Sequence, residues 1–173
     1  MATEAIKSTA VTNSNATPRV INNIGVEGGN IVRAVNGLVT LTAAKSTGST
    51  YRIGKIRSSD YVDRIRLTTL ADIGTTVTAD LGLYDLLTHS NGGTVVDADF
   101  FASAVDLHTG AIDSDVTFES GAAGGLITNG EKAVWDCLGL SSDPGKEYDV
   151  TLTLTADMDA TAGTALVRVY VAR

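Results

Sequence analysis

The stretch Glu147 to Arg173, EYDVTLTLTADMDATAGTALVRVYVAR, decides how the rest of the chain is read. In its first half Tyr148, Val150, Leu152 and Leu154 fall on one side, and Asp149, Thr151, Thr153 and Thr155 on the other. That is the period of two of a half-buried strand. Asp157, Asp159 and Gly163 interrupt it, after which Ala165, Val167, Val169 and Val171 alternate with Leu166, Arg168 and Tyr170. The two runs predict a β-hairpin with a loop of several residues. An isolated hairpin is marginal in water, so its apolar face must pack on another sheet made by the rest of the chain.

Working outward, the 173 residues suit one domain with a real core, and 43% hydrophobic against 19% charged residues excludes disorder along the whole length. Aromatics are few and Gly, Thr and Ala frequent, which points to short strands, many turns and a core of Val, Leu, Ile and Ala. The net charge of −7 is unevenly placed: residues 1–66 carry nine Lys or Arg against four acids, the remainder four against sixteen. Such a split disfavours nucleic-acid binding by the domain as a whole and suits a charged partner or further copies of the chain. Cys137 is the single cysteine, so neither an intrachain disulfide nor a cysteine-based metal site can be assembled. The start, MATEAIKST, lacks the apolar run of an export signal, and no span of about 18 apolar residues occurs, so synthesis in a cytoplasm without membrane insertion is expected.

Residues 1–25 form an expected N-terminal arm, extended and rich in Ser, Thr, Asn and Ala, with isolated apolar points at Ile6, Val11, Val20 and Ile21 that suit laying on a neighbouring subunit. Residues 26–173 are the expected β-sandwich. Asn36-Gly37, between IVRAV and LVTLTAA, predicts a two-residue hairpin. Tyr51 to Ile56 and the run YVDRIRLTTL predict strands, with Ile65 and Leu67 inward and Arg64 and Arg66 outward, so that Lys55, Arg64 and Arg66 could form one positive surface. With few aromatics beside it, that surface is a poor platform for single-stranded nucleic acid. TTVTADLGLYDL predicts a strand burying Val77, Ala79, Leu81 and Leu83. In VVDADFFASAVDL the spacing of Phe100, Phe101, Ala104 and Leu107 predicts a short helix over 98–105, capped by Asp97 or Asp99. Ile112 to Glu119 reads as a strand with Val116 and Phe118 inward, and Glu131 to Leu138 as a helical turn or strand anchored by Trp135. The expectation is an all-β, jelly-roll-like β-sandwich of about eight strands with one or two short helices.

Reactive chemistry is thinly represented. His89 and His108 sit among turn residues without motif-like neighbours. Asp97-Ala98-Asp99 and Asp157-Met158-Asp159 each offer two carboxylates but lack the rest of a twelve-residue calcium loop, so turn and cap roles fit better. GAAGG at 121–125 lacks the Lys-Ser/Thr ending of a phosphate-binding loop. Cys137 beside Trp135 and Leu138 reads as a small buried hydrophobe, not a nucleophile. No catalytic, cofactor-binding or metal-ligating residue is assigned.

DLGLYD, DADFFASAVDL and a Gly/Thr/Ala-rich all-β body that ends on a strand resemble the capsid decoration, or cement, proteins of tailed bacteriophages, over most of Tyr51 to Arg173. The resemblance implies a jelly-roll-like domain on the outer surface of an icosahedral shell, bridging capsomers, with the major capsid protein and itself (as dimer or trimer) as partners. It implies a place on the virion, no enzymatic activity and no cofactor. The alternative in another class is a fibre or host-attachment module that binds surface glycans.

Overall fold

The structure is a computed structural model, and it describes residues 6–22, 31–86, 93–119, 127–159 and 161–173. Among the described residues eight strands follow one another: β1 (Val32–Leu41), β2 (Thr50–Arg57), β3 (Tyr61–Thr69), β4 (Thr78–Asp85), β5 (Val95–Asp106), β6 (Asp113–Asp115), β7 (Glu147–Leu154) and β8 (Gly163–Ala172). They form two four-stranded antiparallel sheets, ordered β1-β8-β3-β6 and β2-β7-β4-β5. This is a jelly roll, as the sequence implies. Among the described residues two short α-helices, α1 (Thr9–Ser14) near the N-terminus and α2 (Val134–Cys137) at one end of the sandwich, and a 3-10 turn (Ile127–Asn129) complete it.

The period-two reading of 147–173 is correct and its pairing is not. Val150, Leu152, Leu154, Val167, Val169 and Val171 are all buried, but β7 lies between β2 and β4 while β8 lies between β1 and β3. The two runs are central strands of opposite sheets and meet across the core instead of forming a hairpin. The connection between them crosses from sheet to sheet. Asp157 holds it by accepting bonds from the Thr47 amide (2.6 Å) and hydroxyl (2.9 Å), and Asp159 by accepting from the Thr161 amide at 2.8 Å. Both aspartates thus serve turns.

Asn36-Gly37 is not a turn either, because β1 runs through it in unbroken register with β8. Gly37 is there for close approach: a Cβ would lie 2.5 Å from the Ile53 carbonyl oxygen. Gly54 on β2 likewise leaves room only for Val35. These two glycines let β1 and β2 close one lateral edge of the sandwich.

The helix expected over 98–105 is replaced by β5. Twelve residues of β5 run against seven of β4, Thr78–Tyr84, with register breaks near Leu81 and Leu83. Bulges insert extra residues on one strand and re-aim side chains. They let consecutive Phe100 and Phe101 both enter the core, edge to face with ring centres 4.8 Å apart, which a regular strand forbids. Their helix-like spacing is the imprint of those extra residues. The Phe pair is core.

Strand signals elsewhere hold, with smaller corrections. Ile65, Leu67, Val77, Ala79, Leu81 and Leu83 are buried as read. The run 112–119 contributes only β6, with Val116 buried and Phe118 43% exposed. α2 is anchored by buried Val134, with Ala133 before it, while Trp135 is only half-buried.

Candidate interaction surface

His108 and Cys137 both have structural partners. His108 Nδ1 lies 2.7 Å from an Asp106 carboxylate oxygen, and the same carboxylate accepts from the His108 amide and the Thr109 hydroxyl, closing the turn after β5. Burial pushes the Cys137 thiol up to about 11, so it stays protonated and unreactive, with Sγ 3.8 Å from the Asn129 carbonyl oxygen. Among the described residues no three His, Cys, Asp or Glu side chains come together in a way that could hold a metal ion. His89 and the segment 121–125 lie outside the described residues.

On β5 the carboxyl of Asp97 is held above the usual carboxylate range, by burial first and then by hydrogen bonding and repulsion from Asp99. Asp80, on β4, is raised by its own burial and by Asp99, though it accepts a 2.7 Å bond from the Ala104 amide. A carboxylate with a raised folded pKa is penalised above that pKa and relieved as pH falls through it. Asp97→Asn should therefore raise the free energy of unfolding at pH 7 by about 0.5 kcal/mol, the scale of an exposed charge pair. The gain should vanish on titration down through the Asp97 pKa. A pH-independent difference in urea melts would contradict this account.

Lys55, Arg64 and Arg66 do not share one surface. Lys55 belongs to β2, and the two arginines to β3 in the other sheet. Arg66 Nε is 2.6 Å and Arg64 Nε 3.6 Å from the β6 carboxylates of Asp113 and Asp115. The pair with Arg66 also holds the Asp113 carboxyl below its ordinary range. The expected positive patch is in large part an internal β3–β6 clasp.

Residues 6–22 contribute nothing buried. α1 is capped by Ser8, whose side chain accepts from the Val11 amide, and the following chain is tied back by a 2.7 Å bond from the Asn13 amide group to Asn22. A six-residue helix thus lies within the segment expected to be extended. Its apolar side chains face solvent: Ile6 is 81% and Ile21 92% exposed, with Val11 and Val20 about half exposed. Scattered exposed apolar side chains are ordinary, but four within one short segment that buries none of its residues are not.

Two structural groups carried no signal in the sequence. Arg52 stacks over the Tyr84 ring at 4.8 Å, pairs with Asp149 at 3.1 Å and donates to the Gly93 carbonyl at 3.0 Å, tying Gly93, just ahead of β5, to the outer face of the sheet. Asp60, 1% exposed, accepts from the Arg57 amide at 2.9 Å and from Arg33 at 3.1 Å, with Arg173 at 3.9 Å. Beside it buried Ser58 donates a 2.5 Å bond to Asp143, while the Asp60 and Ser58 carbonyls accept the Val134 and Trp135 amides that open α2. Both depend on residues distant in sequence, so spacing could not expose them.

No protein-family model matches the chain, and no curated protein does. Solved structures do. A chain of the cyanophage Pam1 capsid asymmetric unit aligns over 91% of this chain and 96% of its own, with a TM-score of 0.52 at 14% identity. A chain of the capsid of Ralstonia phage GP4 aligns over 88% and 90%, also with a TM-score of 0.52 at 14% identity. The jelly roll described above is thus a fold also found, along nearly the full length of the matching chains, in two phage capsid structures.

Proposed function

We propose that this chain is a non-enzymatic structural protein of a phage virion, which binds the outer surface of the capsid and stabilises it by bridging capsomers. The observation that carries the reading is the exposed apolar row Ile6, Val11, Val20 and Ile21 on a segment that buries nothing of its own. The fold shared with chains of two phage capsids supports it, and so does the use of the ionisable groups in turns and ion pairs. The arm contacts the major capsid protein or a sister subunit, while the sandwich supplies a self-association contact.

Deleting residues 2–20 removes three of the four apolar points and no core residue. Full burial of an Ile or Val side chain contributes about 1.5–3 kcal/mol, so even partial burial of three predicts a loss of affinity for empty heads of about 100-fold. Occupancy on purified heads, titrated against the full chain, measures it. Undiminished occupancy by the shortened chain refutes the arm's role, and glycan binding by the isolated domain together with absence from heads would favour a host-attachment module instead.

A further inference from the structure

We infer that copies of this chain join head to tail through opposite edges of the jelly roll, the β1/β2 edge of one seating against the β5/β6 edge of the next. The inference rests on the adhesive role proposed above and deepens it by naming the two edges through which the self-association contact of the sandwich is made.

The first support is charge. Between Arg66 and Lys132 the sequence has no Lys or Arg and ten Asp or Glu. The jelly roll turns this separation along the chain into separation in space, because β1 and β2 close one lateral edge and β5 and β6 border the other. β1 and β2 carry Arg33, Arg52, Lys55 and Arg57 and no acid; β5 and β6 carry Asp97, Asp99, Asp106, Asp113 and Asp115 and no cation. Several of these are balanced at home: Arg33 by Asp60, Arg52 by Asp149, Arg57 by Glu147, and Asp113 and Asp115 by β3 arginines. Lys55 and Glu119 are both exposed and neither has an ion pair among the described residues, Glu119 accepting only the Ser103 amide at 3.1 Å. Complementary potentials of this kind steer association and fix which patches meet.

The second support is shape. β6 is only three residues long, so the β5/β6 edge stays open as a groove of about 430 Å³, with Val105, Ile112 and Val116 on its apolar side and Asp106, Asp115 and Glu119 on its polar side. The opposite edge is closed by Gly37 and Gly54 and is led by β1, ten residues without a bulge or proline, on which Val32 and Leu38 are exposed. A long regular edge strand is a template for association unless something blunts it. Bulges in β5, brevity in β6 and the charges and bulge of β2 blunt the other three edges.

The third support is geometry. The two edges lie on opposite sides of one rigid sandwich, three strand spacings or about 14 Å apart, and cannot meet within a single chain. Their contact is heterologous, so each copy uses both edges and the arrangement closes into a ring or continues as a chain.

Sedimentation velocity of the full chain tests this with a charge reversal. The wild type should assemble at low salt and loosen at high salt. Lys55→Glu or Glu119→Lys alone should weaken association about tenfold or more, and the double reversal should restore it, since both groups are exposed and only the pairing of signs recovers. Leu38→Lys, on the exposed ridge, gives an independent break that does not touch the ionic pair. A wild type that is monomeric at both salts overturns the inference, as does a double variant no better than the single ones, or single variants that all assemble normally. Head binding is read separately. A monomer that decorates heads overturns the edge contact alone, and an assembled chain that ignores heads overturns the capsid reading alone.

Discussion

Asp60→Ala lowers the free energy of unfolding by about 2–3 kcal/mol, the loss that follows when a buried carboxylate accepting backbone and charge-assisted hydrogen bonds is removed while its half-exposed arginine partners return to water. The carboxylate is 1% exposed, and its loss strands the Arg57 amide at the β2–β3 corner and releases Arg33 and Arg173, from the two ends of the chain's sandwich portion. For a domain of this size each kcal/mol shifts the thermal midpoint by about 2–4 °C, so a fall on the order of 5–10 °C is expected. Asp60→Asn separates the contributions. Its amide oxygen can still accept from the Arg57 amide, so it should lose only the ionic part and fall between wild type and Ala. Equal losses for Asn and Ala in chemical denaturation would place the whole effect on charge, contrary to this account.

Gly82→Ala is expected to cost about 3 kcal/mol, the upper end of ordinary overpacking penalties. A Cβ at Gly82 would run into the carbonyl oxygens of both Asp97 and Ala98, where the β5 bulge folds over the outer face of β4. Backbone atoms cannot turn away as a side-chain end can, so the bulge must lift. Thr151, opposite Gly82 in register and fully buried although its face looks away from the core, should then be uncovered. Gly48→Ala is the control: its φ of +85° is unfavourable for Ala but no atom lies within 4 Å, so a cost of about 1 kcal/mol is expected. Urea denaturation gives the two costs, and amide hydrogen exchange at β4 and β5 shows whether the bulge has lifted; identical exchange with an unchanged midpoint would contradict the close-approach reading of Gly82.

These two positions show what kind of information a single chain holds. Alternation at Tyr148–Leu154 and Ala165–Val171 was enough to say that both runs are strands and which side of each is buried, since that depends only on the two-residue repeat of an extended backbone. The same residues were silent on pairing. In this fold β1 joins β8, β2 joins β7 and β3 joins β6, so nearly every ladder links distant segments, and only β4–β5 joins sequence neighbours. Local hairpin signals therefore misled at Asn36-Gly37, where glycine marks a sheet-to-sheet contact, and at Asp157–Gly163, where the chain changes sheets. At Phe100-Phe101 the inserted bulge residues shifted a strand into a helix-like rhythm, a distortion that only the partner strand makes visible.

The candidate surfaces divide the same way. Ile6, Val11, Val20 and Ile21 stand out in the sequence as isolated apolar residues in a polar stretch and are exposed in the structure, whereas a shared patch of Lys55, Arg64 and Arg66 was not there to be found, because their strands enter different sheets. By itself the sequence determined an all-β body, its inward faces and a basic-to-acidic gradient along the chain, all of which are properties of composition and short-range period. Only the tertiary structure decided which strands are neighbours, that Asp60 is buried among arginines and that the gradient ends up on opposing edges. The physical reason is that pairing and burial come from contacts between segments far apart along the chain, and no local pattern encodes those partners.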